Sequence, residues 1–129
     1  MLDTNICIYI IKNKPLQVKE KFNQYSVGEI CISSISVSEL YYGVEKSNFK
    51  EKNLKALSLF LAPLNIVKYD EKAALEYGKI RATLEKKGTV IGSLDMLIAA
   101  HAKSMGIKLV TNNTKEFQRV DGVELENWI

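Results

Sequence analysis

Hydrophobic and polar positions change period repeatedly along this chain of 129 residues. Met1-Leu2 is an apolar stub that stops at Asp3, and a short helical pattern follows over about Asn5–Ile11. Pro15 suits the first turn of a second helix, whose pattern runs to about Tyr25. Gly28 then bounds Glu29-Ile30-Cys31-Ile32-Ser33, in which isoleucines alternate as in a strand. Val37–Lys46 and Glu51–Leu61 return to helical spacing, the second with Leu54, Leu57 and Leu61 on one stripe. Asn65–Tyr69 predicts another strand. Asp70 is placed to cap a long helix that Gly88 stops after Lys87. Ser93 opens a helix whose Leu97-Ile98-Ala99-Ala100 stretch is apolar nearly all round, as a centrally packed helix must be. Lys108–Thr111 predicts a fourth strand, Thr114–Gln118 a short helix and Val123–Glu126 a last edge strand.

Strands separated by helices require crossover connections, which implies a parallel sheet covered on both faces. The expected fold class is α/β: a three-layer α/β/α sandwich around a central, mainly parallel sheet of four to five strands. Two prolines, seven glycines and no repeat or low-complexity stretch leave no linker, so residues 1–129 read as a single domain.

Composition narrows the class further. No apolar run approaches the roughly 20 residues of a membrane helix, and Asp3 interrupts any apolar leader. Cys7 and Cys31 lie in apolar runs without CxxC spacing and read as buried free thiols of a reducing compartment. A cytoplasmic protein without a membrane partner is expected. Lysine supplies 16 of the 18 cationic residues, and the net charge is +3. Lysines screen and steer a polyanion rather than read bases, so nucleic acid is allowed but not argued by charge alone.

The candidate chemistry comes from three acids placed where strand-like runs end. Asp3 closes the first run, Glu39 follows the run ending at Ser33, and Asp95 lies in Ile91-Gly92-Ser93-Leu94-Asp95. Open α/β sheets bind ligands outside the carboxyl ends of their strands. Carboxylates gathered in a half-dry cleft repel one another unless a cation neutralises them, and oxygen-only donors suit Mg²⁺ or Mn²⁺. Each acid also has a local reading. Asp3 is positioned as a helix cap, Ser36-Val37-Ser38-Glu39 matches a capping box, and Asp95 suits the positive end of a helix dipole. A fourth group is Thr111-Asn112-Asn113-Thr114-Lys115-Glu116. Glu116 can reach the same cleft from one helical turn away while Thr111 and Asn113 supply neutral hydrogen bonds; Asn113 and Glu116 forming a capping box is the alternative. His101, the single histidine, falls about 240° round the helix from Asp95 and is expected to be structural. No GxSxG, Walker A, GxGxxG or CxxC pattern is present.

Leu2-Asp3-Thr4-Asn5, Ile35-Ser36-Val37-Ser38-Glu39-Leu40 with Gly43, Arg81-Ala82-Thr83-Leu84, Gly88 through Ala102 and Leu109 through Phe117 together resemble the PIN domain, and in particular the VapC-type toxins of bacterial type II toxin–antitoxin pairs. The resemblance runs along essentially the whole chain, to Leu125-Glu126-Asn127-Trp128. It implies an endoribonuclease dependent on Mg²⁺ or Mn²⁺, with transfer RNA as substrate, a homodimeric state and inhibition by a VapB-type antitoxin. The family's metal-binding aspartates fall on Asp3 and Asp95 and its active-site glutamate on Glu39. Many PIN domains carry a further aspartate where this chain has Asn113, and Glu116 is expected to serve instead. A phospho-receiver domain would want two adjacent acids after the first strand, but here Asp3 is followed by Thr4. A PIN-like module that binds RNA or protein without cutting would have the missing fourth aspartate in its favour.

Overall fold

The computed structural model describes all 129 residues. The elements in chain order are α1 (Thr4–Lys12), α2 (Leu16–Phe22), β1 (Cys31–Ser33), α3 (Ser34–Glu45), α4 (Lys50–Leu61), β2 (Asn65–Val67), α5 (Glu71–Lys87), α6 (Ser93–Met105), β3 (Leu109–Val110), α7 (Thr114–Phe117) and β4 (Leu125–Glu126). Local chemistry sets several of these boundaries. The Asp70 carboxylate accepts the Ala73 amide to start α5, and Gly88 in the left-handed conformation (φ 66°) ends it. Gly106 ends α6 in the same way.

The sheet consists of two parallel pairs with the first residues of the chain between them. β1 pairs with β2, and β3 with β4, all in parallel register. Leu2 forms a parallel bridge to Val110. On that side the Asp3 amide donates to the Val110 carbonyl at 2.9 Å, and on the other the Leu2 amide donates to the Cys31 carbonyl at 3.0 Å. The spatial order is therefore β2, β1, Met1–Asp3, β3, β4. Asp3 leaves the middle of that arrangement.

Alternation along the strands separates two cores, as residues of successive parity point to opposite faces. Leu2, Ile32 and Val110 join Ile6, Ile10, Val18, Leu57, Phe60 and Trp128 on one side. Met1, Leu109 and the partly buried Cys31 join Ile80, Leu84, Met96, Ile98 and Phe117 on the other. Helices α1–α4 cover the first face and α5–α7 the second, which is the three-layer α/β/α arrangement. α6 contributes a run of buried residues from Ile98 to Ala102, and α5 lies along it.

Several boundaries differ from the expectation. α2 stops at Phe22 rather than Tyr25, and Pro15 stands before it in extended conformation instead of within its first turn. α3 begins at Ser34, three residues early, because Ser33 is its cap and accepts the Ile35 amide at 3.1 Å. The strands are shorter than their apolar runs. Cys31 is only half-buried, and Leu54 turns outward while Leu57 and Leu61 are buried.

Candidate active site

Asp3 is almost completely buried, and its two oxygens have different partners. Oδ1 accepts the Thr4 amide at 2.7 Å, which caps α1. Oδ2 accepts the Thr111 hydroxyl at 2.8 Å. The cap and the cleft group proposed from sequence are thus the same side chain. Thr111 is fixed in turn by its own amide, which donates to the Glu126 carbonyl at 2.9 Å, and by the Asn113 amide, which donates to its hydroxyl oxygen at 2.9 Å. Burial raises the Asp3 pKa above its ordinary value despite these two donors, and the charge of Glu39 adds to the rise.

Glu39 projects from α3 and is half-buried. Its Oε1 accepts the Thr4 hydroxyl at 2.8 Å, and Thr4 Oγ1 also lies 3.1 Å from the hydroxyl of fully buried Ser36. The expected Ser36–Glu39 capping box is absent. Ser36 sits inside α3 rather than at its start, and its hydroxyl is turned inward to Thr4.

Asp95 stands in the first turn of α6, three residues after Gly92. A Cβ on Gly92 would meet Asp95 Oδ2 at 3.5 Å, an ordinary contact, so the glycine leaves that flank open without being sterically required. The Asp95 pKa is pushed up to about 6, first by burial, then by the charges of Asp3, Glu116 and Glu39 and by contact with the Glu116 carboxyl. Glu116 is held by α7, where its Oε2 accepts the Asn113 side-chain amide at 3.1 Å. That bond joins two side chains. Asn113 makes no side-chain bond to the start of α7, so the alternative capping box there does not form either.

The four acids therefore gather at the carboxyl-end edge of the sheet, from the Met1–Asp3 segment, α3, α6 and α7. The chain's six ion pairs employ Glu45, Glu76, Glu85, Asp121 and Glu124, and none involves Asp3, Glu39, Asp95 or Glu116. No three of the acids close round a single point as a finished cage. A cavity of about 560 Å³ borders the cluster at Thr4 and Glu39 and runs between α1, α3 and α4.

His101 lies outside this group, as its helical position predicts. It is buried, with Nδ1 2.8 Å from Ser33 Oγ and its ring edge-on to Tyr69 at 5.5 Å. Burial lowers its pKa. Its role is to tie α6 to the cap of α3, the helix that carries Glu39. The residues whose contact with the acids the sequence does not reveal are Thr4 and Ser36. Thr4 stands beside Asp3, but its contact with Glu39 spans 35 residues and no local pattern announces it.

Residues 1–123 match the PIN domain. The chain is 50% identical to Ribonuclease VapC2 of Haemophilus influenzae over 129 residues, covering 100% of this chain and 97% of that protein. It is 49% identical to the tRNA(fMet)-specific endonuclease VapC of Shigella flexneri, covering 99% and 96%. Its structure superposes on the DNA-bound VapBC complex of Salmonella typhimurium with a TM-score of 0.94 and 48% identity, covering 100% and 97% of the two chains. The chain belongs to the PIN-domain family, in its VapC branch.

Proposed function

We propose that this chain, acting as one nuclease domain of 129 residues, is a divalent-metal-dependent endoribonuclease and the toxin of a toxin–antitoxin pair. The observation that carries the reading is the gathering of Asp3, Glu39, Asp95 and Glu116 at one sheet edge without a single basic partner. Uncompensated carboxylates in a partly dry cleft are costly. A hard cation with oxygen ligands removes that cost, and Mg²⁺ keeps several waters, so a set of acids that does not close into a cage suits it. Asp3 and Asp95 are the residues that would hold Mg²⁺ or Mn²⁺, with Glu39 and Glu116 completing its surroundings. When bound, such an ion supplies Lewis acidity toward a phosphate oxygen and a lowered pKa for water. The chain's own part is to orient Asp3 through Thr4 and Thr111, and Glu116 through Asn113.

Transfer RNA is the substrate class that the Shigella relative's name supports, and a single-stranded loop exposes the backbone to such a cleft. Lysines around the edge would hold phosphates, making binding weaken as salt rises. A VapB-type antitoxin is the partner, as in the VapBC complexes that the structure resembles. Tyr41, Tyr42, Phe49, Leu54 and Leu59 expose apolar surface on and beside α3 and α4, and we assign that surplus to antitoxin and homodimer contacts. No helix is long and apolar enough to cross a membrane.

The test is end-mapping of total RNA incubated with purified chain and Mg²⁺. Discrete new ends enriched in tRNA support the reading. Ends spread evenly over all RNA would remove the tRNA assignment, and intact RNA would remove the nuclease.

A further inference from the structure

One residue touches two of the four acids, and it does so with two different groups. The Thr4 backbone amide holds Asp3 Oδ1 at 2.7 Å, and the Thr4 hydroxyl holds Glu39 Oε1 at 2.8 Å. A hydroxyl has one proton to give. An ionised carboxylate can only accept, and a charge-assisted bond is stronger than one between neutral hydroxyls. The Thr4 proton therefore points to Glu39, and Thr4 Oγ1 accepts from Ser36 Oγ at 3.1 Å. Ser36 is fully buried inside α3 and Thr4 nearly so at the start of α1. The result is a directed chain, Ser36 to Thr4 to Glu39, in which each bond polarises the next.

Glu39 is otherwise loosely held. It sits in the second turn of α3, half-buried, with no ion pair and no other side-chain hydrogen bond. Free glutamate has three rotatable bonds, and Thr4 is the one contact that fixes where this one points relative to Asp3. We infer that Thr4, backed by Ser36, is a positioning residue that sets the Glu39 carboxylate against Asp3 for cation binding and RNA cleavage. This rests on the metal-dependent nuclease reading above. It adds a residue that acts through its hydrogen bond to Glu39.

Thr4→Val keeps the shape and removes the hydroxyl, while Thr4→Ser keeps the hydroxyl. Binding of Mn²⁺ alone is measured by titration calorimetry, and cleavage by kcat and KM for tRNA, with thermal melts as control. Loss of a group that orients a ligand costs about 10- to 100-fold in metal affinity or activity. Thr4→Val is expected to weaken Mn²⁺ binding and lower kcat by that range, with KM little changed, and Thr4→Ser to restore both to within about threefold. In a Glu39→Ala background, Thr4→Val should cost nothing further, because its action runs through the lost side chain. Should Thr4→Val fail to fold, Ser36→Ala carries the test, with a smaller loss in the same two quantities. Wild-type affinity and kcat in Thr4→Val or Ser36→Ala, or losses that multiply in the double variant, would overturn the inference while leaving the nuclease intact. A wild-type chain that neither binds Mn²⁺ nor cuts RNA would overturn the underlying reading itself.

Discussion

The acidic edge has two halves of different construction. On one side, Asp3 and Glu39 receive neutral donors: the Thr4 amide, the Thr111 hydroxyl and the Thr4 hydroxyl, at 2.7 to 2.8 Å. On the other, Asp95 faces the charges of Asp3, Glu116 and Glu39, and its pKa rises to about 6. Hydroxyls orient a carboxylate without cancelling its charge, whereas a lysine or arginine would do both. The first half is thus preorganised, although burial still raises the Asp3 pKa, and the second has no such donors against its repulsion. A site built for a cation needs both properties, because a resident basic side chain would compete with the ion for the same oxygens.

Replacing the acids should break the comparison most severely. Asp3→Ala and Asp95→Ala are each expected to lower RNA cleavage by about a thousandfold or more, on the order of 4 kcal/mol of barrier. Their stabilities should diverge. Asp3→Ala removes the α1 cap and orphans the Thr111 hydroxyl, costing about 1 kcal/mol that relief of its buried charge offsets in part, while Asp95→Ala loses no such bond and gains from relieved repulsion. Denaturant melts of both variants check the divergence.

Thr111→Val should come next. It deletes the donor to Asp3 Oδ2 and is expected to lower cleavage by about 10- to 100-fold in steady-state assays, with the fold kept.

A third effect is on stability alone. The folded-state pKa of Asp95, about 6, lies above its ordinary value of 3.8, so protonation of Asp95 favours the folded chain. The destabilisation is absent below about pH 4, grows as pH rises through 6 and is complete at pH 7. Allowing for the half-exposure of the carboxyl, Asp95→Asn should gain about 1 to 2 kcal/mol at pH 7 and nothing at pH 4. Urea denaturation at the two pH values reads the difference. An equal gain at both would show that charge is not the cause.

The smallest effect is the response to metal. At tenfold excess over its dissociation constant, Mg²⁺ should stabilise the wild-type chain by about 1.4 kcal/mol, a rise of a few degrees in melting temperature. Asp95→Asn should lose most of that rise.

Local signals were the legible ones. Asp70 and Gly88 bracket α5 as their chemistry requires, and helical phase alone turned His101 away from Asp95. Hydropathy set neither burial nor strand ends faithfully: Ile66 pairs in β2 yet is exposed. Ile30 and Thr111 are buried but lie just outside the strands, so apolar runs overstate strand length. Ser36 shows where local reading fails. The string Ser36-Val37-Ser38-Glu39 fits a capping box, yet Ser33 caps α3 and Ser36 is drawn to Thr4, 32 residues away in sequence. A tertiary contact took the hydroxyl that the motif would have used. Asp3, Glu39 and Asp95 were found by their position after apolar runs, although the run before Asp95 forms no strand, and Glu116 by its place one helical turn on from Asn113; their lack of basic partners and the hydroxyls that orient them required the fold.

The most direct test is to titrate Mn²⁺ into metal-stripped chain while following RNA cleavage and ion binding together, beside Asp95→Asn. The account predicts that EDTA abolishes cleavage, that activity rises with occupancy of the ion, and that Asp95→Asn, though folded, shows neither. Wild-type cleavage in EDTA, or undiminished Mn²⁺ binding by Asp95→Asn, would contradict it.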